Sequence, residues 1–253
     1  MQLLSQTKAK QTKALHQKKN REESKLFLVE GAKVVLETIK SNWEIDFIVI
    51  SHSFHESYKS ELSNFEEKIF VCSEEQLSQI STFKTNNAAL AVVKQKKKLS
   101  IPDVSLNFWL VLESISDPGN LGTIIRLADW FGLKEVITIG DGVEWHNPKV
   151  ISASMGSFLR IKQVKTDVEF LLSSERKAFI ADMSGQNLYN FRFPQKSMLV
   201  IGNEAKGISE KWLQSDVVPI TIPSFGQAES LNAAIATGIL LNHYQFGLLS
   251  PLS

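Results

Sequence analysis

Short apolar runs recur along the chain, separated by polar and glycine-bearing stretches. In the first third, Leu26–Glu30, Asp46–Ile50, Lys68–Cys72 and Ala88–Val93 read as short buried strands. Between them the spacing of Val34, Val35 and Ile39 predicts a helix over 32–40, and residues 58–65 are predicted helical. Ser73 with Gln76 forms the signature of a capping box for a helix over 74–80. Strands alternating with short helices predict a small α/β unit over residues 1–95. Residues 96–105 are charged and then broken by Pro102, as suits a linker. A second α/β unit is expected over 106–253. Its predicted strands are Phe108–Glu113, Val136–Ile139, Ala178–Ala181, Ser197–Ile201 and Val217–Ile222, the last suited to a sheet edge by Pro219. Its predicted helices are 118–131, Lys149–Met155 ahead of the apolar run Phe158–Ile161, Asp167–Leu172, and a long apolar helix over Ser230–Phe246.

Three loops in the second half carry polar and glycine residues directly after a buried strand. The first is Asp117–Arg126. Asp117 is a good N-cap, Pro118 suits the first helical turn, and Gly132 suits the helix end. Loops at the carboxyl ends of strands are where open α/β sheets bind ligands. Arg126 lies one turn beyond Gly122 and Thr123, and its side chain leans back toward the loop. An ordinary surface pair between Arg126 and Asp129 is the competing reading. The second loop, Gly202–Ser209, adds the carboxylate of Glu204, and a nucleotide-like ligand would use its backbone amides. It matches neither the P-loop nor the dinucleotide-fold spacing, and it reads equally as a turn with Ser209 capping the next helix. In the third, Ile222–Asn232, Ser230 is placed to cap the last helix and Asn232 to sit in its first turn, with Leu231, Ala234, Ile235 and Gly238 facing the core. The three loops are expected to converge on one pocket.

Composition narrows the classes without choosing one. Of the residues 43% are hydrophobic and 22% charged, which supports a packed core, and the net charge is +1. Residues 1–21 hold six Lys or Arg and no acid, and Lys94–Lys98 forms a second basic cluster. Either can bind a phosphate backbone or be a solvated face. A lone cysteine, Cys72, leaves no internal disulfide and no multi-cysteine metal site, which fits a cytoplasmic home. The five histidines show no metal-ligand spacing, so no metal is expected. The sequence lacks a membrane-length apolar run and the apolar core of a secretory signal.

The stretches DPGNLGTIIRLADWFG, LVIGNEAKGIS and IPSFGQAESLNAAIATGILL resemble the three ordered motifs of the SpoU branch of the SPOUT RNA methyltransferases. The segment Asn147–Gly156 resembles a further family segment, in which an arginine stands at the position of Ser152. Residues 1–95, through FLVEGAKVVLETI and AALAVV, resemble the family's N-terminal substrate-binding domain, a fold shared with kink-turn-binding ribosomal proteins. The resemblance implies a trefoil-knotted α/β methyltransferase domain, S-adenosylmethionine as methyl donor, a ribose 2′-hydroxyl of ribosomal or transfer RNA as acceptor, and a homodimer formed through that domain. It implies that Gly202, Gly207, Ile222 and Leu231 bind the donor, and that Asn120, Arg126, Glu204, Ser230 and Asn232 surround donor and acceptor. Trp145 and His146 lie outside the motifs and are expected at a surface or interface. The competing readings are a SPOUT base methyltransferase, a non-catalytic RNA-binding or ribosome-assembly protein that kept the fold, and a nucleotide-binding enzyme unrelated to RNA.

Overall fold

A computed structural model describes residues 2–249 of the chain. It divides into two compact units. The first comprises Met1–Lys97 with Glu144–Leu159, and the second Lys98–Val143 with Arg160–Ser253.

The first unit is built on a mixed sheet of β1 (Gln2–Leu3), β2 (Leu26–Glu30), β3 (Ile45–Ser51), β4 (Ile69–Cys72) and β5 (Ala89–Lys94), in the order β1-β4-β3-β5-β2. The apolar runs form strands because both faces are covered: β2 and β3 are buried almost along their whole length. β5 pairs antiparallel with both β2 and β3, while β1, β4 and β3 run parallel. The capping box at Ser73 and Gln76 forms, with both reciprocal hydrogen bonds. β1 lies in the basic N-terminal stretch and is held by pairing with β4. Cys72 is buried, and burial pushes its thiol up to about 11, so it stays protonated at neutral pH.

The segment 144–159 departs from the sequence expectation, which assigned it to the second unit. It packs on the first. Trp145 and His146 are buried rather than at a surface, and the His146 ring lies 4.5 Å from that of Phe27. Phe158 meets Phe27 and Trp43 edge-on, and the Trp43 indole donates to Leu159 O at 3.2 Å. Buried Arg21 donates from Nε to Glu144 at 3.1 Å and from Nη1 to the carbonyls of Leu15 and His16. The attachment is set by these long-range partners, none of which leaves a local mark.

The second unit is an all-parallel sheet of β6 (Phe108–Glu113), β7 (Glu135–Ile139), β8 (Lys162–Lys165), β9 (Lys177–Asn187), β10 (Ser197–Ile201) and β11 (Val217–Thr221), in the order β11-β9-β10-β6-β7-β8. Its centre, β10 beside β6, is buried at every position. Pro219 sits in the edge strand β11, where its missing N–H costs least, and the register with β9 shifts directly after it. β8 begins one residue after the run Phe158–Ile161, whose first residues form a 3₁₀ turn instead. The last helix starts at Ala233, three residues later than the periodicity predicts.

Candidate active site

The three loops leave the carboxyl ends of β6, β10 and β11 in the second unit; β6 and β10 are neighbours, and β11 lies beyond β9. After β6 the chain turns through Ser114, at φ +53, and reaches Asp117. The Asp117 carboxylate accepts from the Asn120 amide at 2.7 Å and caps the helix Pro118–Trp130. That cap fixes Asn120 in the first turn, where it is 9% exposed. Gly132, at φ +76, ends the helix, with Leu133 N donating to Ala128 O at 2.9 Å.

After β10 the chain folds on itself around Asn203. Asn203 and Gly207 exchange two backbone hydrogen bonds, and the Asn203 carboxamide accepts from Ala205 N and Lys206 N while donating to Ser114 O. Gly207 adopts φ +68. Gly202 is packed so closely that an added Cβ would lie 2.6 Å from Gly207 backbone atoms. The amides of Asn203, Ala205, Lys206 and Gly207 are therefore committed inside the loop. The loop also carries the Glu204 carboxylate, whose negative charge suits a cationic ligand.

Glu204 joins this loop to the first. Its Oε1 accepts from Asn120 Nδ2 at 2.8 Å, and its Oε2 from Ser116 Oγ at 2.9 Å. Burial pushes the carboxyl up, but the hydrogen bonds from Asn120, Ser116 and the backbone outweigh it and hold Glu204 below the usual carboxylate value. Asn120 joins the third loop as well: its Oδ1 accepts from Asn232 Nδ2 at 2.8 Å. Asn232 Oδ1 in turn accepts from Ala234 N at 2.9 Å and Ile235 N at 3.3 Å, so Asn232, not Ser230, caps the last helix.

Three of the five polar residues, Asn120, Glu204 and Asn232, thus form one hydrogen-bonded chain across the three loops. Ser230 and Arg126 are exposed and bonded to none of them. The surface pair expected as the alternative for Arg126 does not form. Asp129 is taken by Arg160, whose Nη2 lies at 2.7 Å. Of the donor-binding candidates, Gly202 and Gly207 share one loop and Ile222 is half-buried. Leu231 is 48% exposed and Ile235 57%, so the stripe predicted to face the core is in part a surface. Sequence reasoning missed Ser116 and Asn203. An asparagine ahead of a short glycine-closed turn is a signal for the second; Ser116 carried none. Ser209 N donates to Glu113 rather than opening a hydroxyl cap, and its Oγ is buried without a partner among the described residues. Among the described residues no cluster of His, Cys, Asp or Glu could hold a metal ion, and no helix is long and apolar enough to cross a membrane.

Residues 107–242 match the SpoU rRNA Methylase family, and residues 6–91 match an MRM3-like substrate binding domain. The chain is 32% identical over 245 residues to the 23S rRNA (guanosine(2553)-2′-O)-methyltransferase RlmP of Bacillus subtilis, covering 93% of this chain and 95% of that one. Among solved structures, an AdoMet-bound rRNA methyltransferase from Sinorhizobium meliloti superposes with a TM-score of 0.85 at 26% identity, covering 99% of both chains. A TrmH-family protein from Porphyromonas gingivalis, described as a putative RNA methyltransferase, superposes at 0.81 with 29% identity over 96% of this chain and 98% of that one. The ordered loops, the parallel sheet that carries them and these similarities agree: the chain belongs to the SpoU rRNA methylase family.

Proposed function

We propose that this protein transfers a methyl group from S-adenosylmethionine to a ribose 2′-hydroxyl of RNA, in large-subunit ribosomal RNA rather than transfer RNA. The observation that carries the reading is the chain Glu204–Asn120–Asn232, which ties three ligand-facing loops into one rigid constellation. The Glu204 carboxylate of the loop at Gly202–Gly207 fits the cationic methyl donor. S-adenosylmethionine supplies, when bound, a methyl group on a sulfonium that leaves as a neutral thioether. Gly202, Gly207, Ile222 and Leu231 hold it through backbone and apolar contacts.

The chain's task is then alignment of the hydroxyl oxygen and removal of its proton. The C–O bond forms as the C–S bond breaks, and the hydroxyl proton passes to solvent. A guanidinium is a donor and not a base in proteins, so Arg126 serves by gripping the adjacent phosphate and stabilising the developing alkoxide rather than by accepting the proton. Ser230 orients the hydroxyl. Asn120 and Asn232 hold the loops, and Glu204 fixes Asn120.

The same reading carries a trefoil-knotted methyltransferase domain, a cytoplasmic location and a homodimer through that domain. Support for the dimer comes from exposed apolar side chains on two packed helices. Trp130 is 83% exposed and Phe246 62%, and Gln245 Nε2 donates to Phe131 O at 2.6 Å where the helices meet.

The test is transfer of labelled methyl to unmodified ribosomal and transfer RNA fractions, followed by alkaline digestion. Label in ribosomal RNA, recovered in alkali-resistant dinucleotides, is expected. Label in mononucleotides would mean base methylation. Absence of label together with absence of donor binding would leave an RNA-binding protein that kept the fold.

A further inference from the structure

The first unit contains a pocket of about 320 Å³, lined entirely by its own residues. One wall is the turn after β2 that opens the helix Ala32–Ile39, another is Phe83, and a third is the segment around Ser152.

The lining differs from that of a packing void, which is apolar all round. Beside Ile151 and Met155 stand Lys33 and Ser152. Lys33 is exposed and makes no ion pair among the described residues, so its charge is available. The aromatic wall is held in place. Buried Glu30 accepts from Ser81 Oγ at 2.5 Å, from Thr82 N at 2.9 Å and from Thr82 Oγ1. Phe83 N then donates to Ser81 Oγ at 3.0 Å. Those three donors leave one of the carboxylate's roughly four acceptor sites open.

A volume of 320 Å³ is at the small end for ligand sites, near the size of a single nucleotide. A half-buried ring beside a free cation and a carboxylate with one open acceptor site is the chemistry that receives an unstacked base. The ring stacks on the base, the ammonium meets the phosphate, and the carboxylate accepts from a base N–H. Ser152, where the family segment has an arginine, is one of the lining residues. We infer that this pocket receives one unstacked nucleotide of the RNA on which the protein acts. The inference rests on the RNA methyltransferase reading above. In it Phe83 stacks, Lys33 pairs with phosphate and Glu30 positions the Phe83 turn.

The experiment uses the full chain. Binding of unmodified, in vitro transcribed 23S ribosomal RNA is measured over a series of salt concentrations, with calorimetric binding of S-adenosylmethionine alongside. The variants are Phe83→Ala, Lys33→Ala and Ser152→Phe, the last filling the pocket. Phe83→Ala should weaken RNA binding by roughly fivefold to a hundredfold, as loss of one stacked base does. Lys33→Ala should weaken it several-fold and flatten the slope of log affinity against log salt by about 0.7 to 0.9, one phosphate contact. Ser152→Phe should act like Phe83→Ala, and donor binding should be unchanged in all three. Lys33 is exposed, so its variant is not expected to unfold, and its salt slope decides the matter even if a pocket variant does. RNA binding and salt slope equal to wild type in Lys33→Ala and Phe83→Ala, with wild-type methyl transfer intact, would overturn the pocket and leave the enzyme reading standing. Wild type that binds donor but neither binds nor methylates any RNA would overturn both.

Discussion

Asn232 and Asn120, 112 residues apart in sequence, share a hydrogen bond of 2.8 Å between their carboxamides. Each is also tied to the start of a helix, Asn232 by capping the last helix and Asn120 through the Asp117 cap. The bond therefore fixes two helix N-termini relative to each other. Replacing Asn232 with Ala removes a cap and orphans one side of Asn120. A loss of about 1 to 2 kcal/mol is expected, read by chemical denaturation. In a double-mutant cycle, Asn120→Ala and Asn232→Ala should be less than additive, because each breaks the shared bond.

Glu204 gives a pH signature. Its carboxyl is held below the ordinary glutamate value of 4.5, so the carboxylate's contribution is fully present above that value and is lost as pH falls through the depressed one. Glu204→Gln cannot lose it again. Thermal melts of wild type and Glu204→Gln should therefore differ most at neutral pH and converge as the pH falls below 4.5. A gap that stays constant through the acid range would mean that the carboxylate is not held by Asn120 and Ser116.

Arg126 is exposed and spared the pairing with Asp129 that its helical spacing suggested, because Arg160 occupies that carboxylate. Arg126→Lys keeps the charge but loses the planar two-pronged grip. Its melting temperature should match wild type, while methyl transfer should fall by about tenfold or more, the cost of a lost charge-assisted bond in the transition state. Near-wild-type rates would remove the phosphate grip from the mechanism.

Gly202 tests the donor loop. A Cβ there would lie 2.6 Å from the backbone of Gly207 and 2.9 Å from Ile208, and the first of these neighbours is not a side-chain tip that can swing away. Gly202→Ala should cost about 1 to 3 kcal/mol of stability by overpacking. It should also weaken S-adenosylmethionine binding in calorimetry, since the loop must shift to admit the methyl group.

How much of this was readable in advance depended on how local the determinant was. The Asp117 cap and the Ser73 capping box each involve residues three apart, and both form as their spacing predicts. The choice between Ser230 and Asn232 as the last cap was not local. Both are good capping residues, and the bond to Asn120 accompanies the outcome in which Asn232 takes the role. β8 carries only one buried residue, Val164, so no apolar pattern announced it; it is held by pairing with β7 and by the bridge from Leu99. His146 was expected at a surface or interface because its ring partner, Phe27, lies over a hundred positions away, and Trp145 beside it is buried as well.

Arg21 and Glu144 are the sharpest case of such distant pairing. The two side chains are almost fully buried, at 2% and 9% exposure. Arg21 also satisfies the carbonyls of Leu15 and His16, and its own carbonyl accepts from Gln95 Nε2 at 3.1 Å. Breaking a buried pair by removing one partner leaves the other charge without compensation, at about 3 to 5 kcal/mol. Arg21→Met is expected to destabilise the first unit by that amount, since it strands Glu144 and two carbonyls together. Glu144→Gln keeps an acceptor for the guanidinium and should cost clearly less. The denaturation midpoints of the two variants, compared with wild type, measure the difference. Equal losses would mean that the segment 144–159 is held to the first unit by its aromatic contacts rather than by this ion pair.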